Sequence, residues 1–180
     1  MKLIYIHGYG SNRASRKFVL LERHFTSYEA RCPEWTPETA FDLWLDNLYN
    51  SLKTEQTIVL VGDSTGANFA YQIKEKRKKE GLQTILVLLS PLLSYSQRLN
   101  KNLVFTENLK NSLVDIFSPA DAFLLIGKQD ETLDLRQLNP YTCIASELVY
   151  LDDTHRLPLF EDYLGYISAY IARQVLILSK

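Results

Sequence analysis

One ten-residue stretch, from Thr57 to Gly66, constrains the fold of this chain more than any other part of the sequence. Its first five residues are β-branched or aliphatic, as is typical of a buried strand, and a helical pattern follows the stretch. Between strand and helix lies the pattern G-x-S-x-G, which predicts a sharp turn with Ser64 at its tip. Gly62 and Gly66 suit this turn because strand and helix must approach closely there. The alternative is an ordinary glycine-flanked turn whose serine caps the helix.

Composition limits the classes of protein to which the chain could belong. At 180 residues we expect one domain, which can bury a large core without disulfides or metals. Twenty Lys and Arg residues balance twenty-one Asp and Glu residues, so no overall charge favours nucleic acid or an anionic membrane as a partner. A small molecule is the expected partner.

Cysteine usage and the amino terminus bear on the compartment. Cys32 and Cys143 lie far apart without a metal-binding spacing, which indicates free thiols in a reducing environment. The chain enters a strand at once, and no apolar run is long enough to cross a bilayer. We therefore expect a soluble cytoplasmic protein.

Strands and helices alternate along the rest of the chain. Apolar runs predict strands at residues 3–6, 28–35, 57–61, 84–89, 122–126 and 147–151, and helical patterns begin near Phe18, Thr36, Gly66 and Leu164. This alternation, without repeats or linkers, predicts an α/β fold with a mainly parallel sheet covered by helices on both faces. In such sheets the active site lies at the carboxyl ends of the strands, where the loops 7–11, 62–66, 127–134 and 152–155 are expected to converge.

Those loops contain the residue types that a serine nucleophile requires. A serine hydroxyl attacks after a base removes its proton, and an imidazole does this best when a carboxylate fixes its tautomer. The chain supplies Ser64, then Asp130, then His155. The oxyanion formed in the reaction needs donors that already point towards it, and the backbone N–H groups of Tyr9 and Thr65 are expected in those places.

Other polar residues of these loops have competing interpretations. Glu131 and Asp134 either begin a helix or replace Asp130 as the acid. The pair at 152–153 is typical of a turn. His7 is expected to brace the first loop by hydrogen bonding, in preference to transferring a proton.

The motifs together resemble the α/β-hydrolase superfamily and, more closely, the small YqiA-like esterases. The resemblance runs nearly end to end, through Tyr5–Ser11, Gly62–Gly66, Asp130–Asp134 and His155 with Phe160–Tyr163. It implies that Ser64, Asp130 and His155 act as nucleophile, acid and base in ester hydrolysis without a cofactor. The chain departs from the family at Asp63-Ser-Thr65 and at Asp152-Asp-Thr154, which leaves the choice of substrate open.

The interval from Leu92 to Pro119 is long for a crossover, and loops of this length often form lids over binding sites. Leu109, Leu113 and Ile116 are apolar enough to line a substrate pocket, so we predict a small lid over an acyl chain. The alternative is a crossover helix with a solvated loop.

The sequence thus predicts a serine hydrolase that cleaves a small carboxylic ester or thioester through an acyl-enzyme on Ser64. Two alternatives stay open. A binding protein could keep this fold without turnover, and an amidase or peptidase could use the same three residues. The oligomeric state is also left open by the sequence.

Overall fold

The protein is described by a computed structural model that covers residues 1–100, 102–136, 138 and 147–179. In this part of the chain six strands form one sheet, and every neighbouring pair is parallel. The strands are β1 (Lys2–Ile6), β2 (Glu29–Arg31), β3 (Thr57–Asp63), β4 (Gln83–Leu89), β5 (Ala122–Gln129) and β6 (Glu147–Thr154). Their spatial order is β2-β1-β3-β4-β5-β6, so β3 lies near the middle of the sheet.

The helices are α1 (Arg16–His24), α2 (Phe41–Leu52), α3 (Thr65–Lys79), α4 (Glu107–Ser112) and α5 (Phe160–Leu178). Successive residues of β3 point to opposite faces, so Ile58 and Leu60 join one apolar core while Val59 and Val61 join another. The first core includes residues of α2, α3 and α4, and the second includes residues of α1 and α5. The predicted α/β fold with helices on both faces is confirmed. Within the described ranges, no helix combines the length and the apolar character needed to cross a membrane.

Several predicted elements have different bounds in the structure, among them β3, β5 and β6, which extend to Asp63, Gln129 and Thr154. The strand expected over 28–35 is reduced to β2, because Pro33 has no N–H to donate and interrupts the ladder. The helix expected from Thr36 begins only at Phe41, since the preceding residues form a local turn in which the Thr36 N–H donates to Thr39 Oγ1 at 2.8 Å. Cys143 lies outside the described residues, and Cys32 is a free, partly buried thiol.

Asn68 of α3 attaches the interval between β4 and β5 to that helix by hydrogen bonds. The Asn68 Nδ2 donates to the carbonyls of Leu92 at 3.2 Å and Val114 at 2.8 Å, and Asn68 Oδ1 accepts the Val114 N–H at 3.1 Å. A 3₁₀ turn (Tyr95–Gln97) and α4 lie between these two attachment points. Both ends of the interval are therefore fixed to the helix that follows the central strand.

Candidate active site

Ser64 lies at the sharp turn between β3 and α3. Its backbone has φ 51° and ψ −115°, in the left-handed half of conformational space where residues other than glycine are strained. Its N–H donates to the Leu89 carbonyl at 2.9 Å, and its own carbonyl accepts the Leu92 N–H at 3.0 Å. The end of β4 and the residues after it therefore hold the strained serine from two sides.

The two glycines of the turn are required by close packing. A Cβ on Gly66 would overlap the backbone carbonyl oxygens of Ile6 and His7, and a Cβ on Gly62 would lie 2.5 Å from the Ala67 Cα. The strand, the turn and the helix could not approach this closely with any larger residue. The structure thus has the strand-turn-helix arrangement that the sequence pattern predicts.

The structure brings together the three residues predicted to act as nucleophile, base and acid. His155 Nε2 lies 3.0 Å from Ser64 Oγ, and His155 Nδ1 lies 2.8 Å from Asp130 Oδ2. The other carboxylate oxygen of Asp130 accepts the backbone N–H groups of Thr132 at 2.9 Å and Leu133 at 2.8 Å. Only 12% of the His155 side chain and 4% of the Asp130 side chain are exposed. The carboxylate is therefore fixed in one orientation and can hold the imidazole as a base facing the hydroxyl.

The two rival carboxylates lie elsewhere. Glu131 Oε2 accepts the backbone N–H of His155 at 3.2 Å and does not replace Asp130 at the ring. Asp134 forms a hydrogen-bonded ion pair with Arg136, with 2.8 Å between Oδ1 and Nε. The Arg136 side chain lowers the pKa of Asp134 to about 2. In the structure, Asp130 alone of these three contacts the imidazole through its side chain.

The sequence predicts a turn at Asp152 and Asp153, but both lie in β6, and the side chain of Asp153 anchors the start of α5. Its buried carboxylate accepts the N–H of Leu159 and the hydroxyl of Tyr163, both at 3.1 Å. Burial, followed by the hydrogen bond to Asp153, raises the pKa of Tyr163 to about 12. This network fixes the position at which the chain leaves the His155 loop.

Both residues predicted to stabilise the oxyanion border the same cavity as Ser64. Thr65 is the first residue of α3, so its N–H has no acceptor within the helix. The loop that carries Tyr9 passes directly beside the serine, because a Cβ on Gly8 would lie 3.2 Å from Ser64 Cβ and 3.8 Å from its Oγ. Both backbone N–H groups are therefore candidates for the oxyanion site.

His7 is buried behind that loop and has both ring nitrogens engaged. Nδ1 donates to the Gly8 carbonyl at 2.9 Å, and Nε2 accepts the Trp35 N–H at 3.2 Å, since a carbonyl only accepts and an N–H only donates. The ring stacks on Trp35 with 5.2 Å between centroids. Burial lowers the pKa of His7, which favours the neutral ring. These contacts agree with a bracing role.

A buried ion pair next to the nucleophile was not predicted from the sequence. Lys17 Nζ lies 2.6 Å from Asp63 Oδ1, and the Tyr5 hydroxyl donates to Asp63 Oδ2 at 2.9 Å. Burial, followed by the charge on Asp63, raises the pKa of Tyr5 well above its usual value. The one signal in the sequence is Asp63 itself, a charged residue at the end of an otherwise apolar strand.

A cavity of about 720 Å³ opens above Ser64 and His155. The predicted pocket residues do not line it: Leu109 and Ile116 are buried in the core, and Leu113 packs against that core. The reason is that α4 packs against α2, so Leu109 joins the core on that face of the sheet, as does Ile116 beyond the helix. The same interval instead contributes Leu92, Arg98, Asn100, Leu103 and Phe105 to the lining.

The residues that the structure describes contain no group of three or more His, Cys, Asp or Glu side chains that could hold a metal ion.

Comparison with known proteins gives a family and a fold. The model of the family described as "Uncharacterised protein family (UPF0227)" matches residues 2–172. No curated protein matches the chain.

Solved structures share the fold at low sequence identity. A candidate hydrolase from Agrobacterium vitis S4 is 16% identical, with a TM-score of 0.74 over 94% of this chain and 87% of that one. The esterase PF2001 from Pyrococcus furiosus is 18% identical, with a TM-score of 0.67 over 96% and 81% of the two chains. YbtT, a type II thioesterase of the yersiniabactin pathway, is 15% identical, with a TM-score of 0.65 over 96% and 93%. At these identities the likeness establishes the fold alone.

Proposed function

Because the chain belongs to the UPF0227 family and has the α/β-hydrolase fold, we propose that it is a serine hydrolase of small carboxylic esters or thioesters. The observation that carries the proposal is the hydrogen-bonded series from Ser64 Oγ through His155 to Asp130. A strained serine backbone beside an open cavity supports it, because such strain is characteristic of functional sites. The esterase and thioesterase among the structural neighbours are consistent with this reaction class.

In the first half of the proposed reaction, His155 Nε2 removes the proton from Ser64 as Oγ attacks the substrate carbonyl carbon. The backbone N–H groups of Tyr9 and Thr65 stabilise the negative oxygen of the tetrahedral intermediate. The bond from carbon to the leaving oxygen or sulfur then breaks, and His155 gives its proton to that atom. The product is an alcohol or thiol, and the acyl group stays on Ser64.

In the second half, water attacks the acyl-enzyme while His155 accepts one of its protons. The Ser64 ester bond breaks, the proton returns to Oγ, and the free carboxylic acid leaves. Throughout, Asp130 holds the Nδ1–H and stabilises the imidazolium. Its two backbone hydrogen bonds suit this role because they fix the orientation of its side chain.

The interval 92–119 acts in this proposal as a small lid that forms one wall of the cavity. It contributes apolar surface through Leu92, Leu103 and Phe105. The acyl chain would contact these residues, in place of the α4 residues that pack into the core.

A fluorophosphonate probe followed by mass spectrometry tests the nucleophile without knowledge of the substrate. We expect the adduct on Ser64, no adduct in Ser64→Ala, and unchanged labelling in Ser11→Ala, a matched change at another cavity serine. Failure of the folded wild type to react, or labelling of another serine, would contradict the proposal. An ester, a thioester and an amide of the same acyl group would then establish the leaving-group preference.

A further inference from the structure

Arg98 is a buried cation in the cavity wall that the proposed mechanism does not use. It follows the 3₁₀ turn, is 5% exposed and borders the same cavity as Ser64. Its guanidinium carbon lies 4.1 Å from the ring centroid of Phe105 and 4.9 Å from that of Tyr95. Phe105 in turn stacks on Tyr9 of the first loop, at 4.9 Å. The guanidinium therefore contacts two aromatic rings, which pack edge to face against each other, on the wall of the cavity.

The backbone around Arg98 is also fixed. The Leu99 N–H donates to the Thr132 carbonyl at 2.9 Å, and the Asp134 N–H donates to the Gln97 carbonyl at 2.7 Å. These bonds join the residues on either side of Arg98 to the loop that begins with Asp130. Arg98 is thus positioned by the same loop that holds the acid of the proposed mechanism.

Within the described part of the chain, most of the Arg98 donors have no partner. A guanidinium has five N–H donors, yet the hydrogen bond of this side chain is from Nη2 to the Asn100 carbonyl, at 3.2 Å. No carboxylate of the described residues lies within ion-pair distance of it. Nε and Nη1 are nevertheless accessible to solvent. Among the described residues, the buried side-chain N and O atoms without a hydrogen-bond partner are Tyr49 Oη and Ser90 Oγ, and no atom of Arg98 is one of them.

The other charges along the cavity do not neutralise Arg98. Arg16 and Arg156 also border it, and Asp63, the one carboxylate among the described lining residues, is already paired with Lys17. A buried cation without a counterion is costly, and the cost falls when an anion binds. The cavity therefore carries an excess of positive charge around one fixed, partly unsatisfied guanidinium.

We propose that Arg98 binds an anionic oxygen group of the substrate, so that the protein prefers esters bearing a carboxylate or a phosphate. This inference rests on the proposed hydrolase function and adds a substrate class to it. A guanidinium presents a planar set of donors that matches two oxygens of either group, and stacking on aromatic rings leaves its edge free. The anion could belong to the acyl chain or to the leaving group.

Two pairs of matched esters distinguish these sources. p-Nitrophenyl hemisuccinate and p-nitrophenyl butyrate differ by a carboxylate on the acyl side, whereas 2-phosphoethyl butyrate and 2-hydroxyethyl butyrate differ by a phosphate on the leaving group. We expect a higher kcat/KM for the anionic member of one pair. Arg98→Met should reduce that preference about 10- to 100-fold, and Arg98→Lys should reduce it less because charge is kept while the planar fork is lost.

Arg136→Gln serves as the matched control, because this arginine lies on the loop that begins with Asp130 but is exposed and does not border the cavity. Arg98→Lys also keeps the stem of the side chain, so it remains informative if Arg98→Met does not fold. An equal kcat/KM for the anionic and the neutral ester of each pair in the wild type would overturn the proposal. So would an equal fall for anionic and neutral esters in the Arg98 variants, since that result indicates packing alone.

The fluorophosphonate reaction at Ser64, measured on the same preparations, separates this proposal from the hydrolase proposal. If Ser64 does not react, NMR titrations with monomethyl succinate and methyl butyrate test the anion site without turnover. Binding of monomethyl succinate that weakens in Arg98→Met would support the site although the enzyme assignment had failed. Binding that is unchanged in Arg98→Met would overturn it.

Discussion

Replacing Lys17 with Met would leave Asp63, the residue before the proposed nucleophile, buried without its cation. Only 10% of the Lys17 side chain and 12% of the Asp63 side chain are exposed, and 2.6 Å separates Nζ from Oδ1. Removing one partner of such a buried pair costs about 3–5 kcal/mol, because the remaining charge is uncompensated. In a domain of this size, each kcal/mol lowers Tm by about 2–4 °C. We therefore expect Tm to fall by about 6–20 °C, as the product of these two ranges.

Urea and thermal unfolding of a double-mutant cycle measure this cost. The double variant Lys17→Met with Asp63→Leu should recover much of the stability lost in Lys17→Met, since an apolar pair of similar volume often replaces a buried ion pair without loss. Arg173→Met is the control: it breaks the exposed pair with Glu147, whose side chains are 52% and 46% exposed, and should cost less than about 1 kcal/mol. A loss below about 1 kcal/mol for Lys17→Met would show that Asp63 does not need this cation, as would additive losses in the double variant.

Three further changes test the site. Asp130→Asn should lower kcat by about 10²- to 10⁴-fold because the imidazole is held in the wrong tautomer, while Glu131→Gln and Asp134→Asn should have much smaller effects. A larger loss in Asp134→Asn would place the acid elsewhere. Burial lowers the pKa of His7, so stability should be fully present above about pH 6.5 and fall with acidification, as the unfolded chain takes up a proton first. Urea unfolding against pH should show a shallower acid slope in His7→Gln; an unchanged slope assigns the effect to other groups. Gly66→Ala should cost about 3 kcal/mol or more, because the new Cβ meets the backbone oxygens of Ile6 and His7. A variant as stable as wild type in urea would show that this backbone can move away.

The sequence could predict the sheet and the proposed catalytic residues because their signals are local. The motif around Ser64 requires its glycines wherever it occurs, and Asp130 and His155 follow predicted strands whose carboxyl ends must meet at one edge. The residues that line the cavity could not be predicted, because they depend on packing between parts of the chain that are far apart in sequence. The apolar spacing of Leu109 indicates that α4 has a buried side, but not which elements cover it.

Two of the buried cations, both of which border the cavity, could not be predicted for a related reason. Lys17 and Arg98 look like surface residues in the sequence, since long charged side chains are mostly exposed. Lys17 is buried because Asp63, 46 positions away, ends a strand beside it. Arg98 is buried because it packs against Phe105, and its neighbours are hydrogen-bonded to the loop that begins with Asp130. Neither partner is recognisable from sequence spacing.

Asn68 holds both ends of the interval between β4 and β5, which has a consequence for how the length of that interval can change in evolution. The positions beside Leu92 and Val114 are fixed to α3, so insertions or deletions between them need not move the serine at the start of that helix. The entropy cost of lengthening a loop whose ends are already fixed grows only slowly with its length. The length and composition of the cavity wall between these two positions can therefore change while Ser64 stays in place.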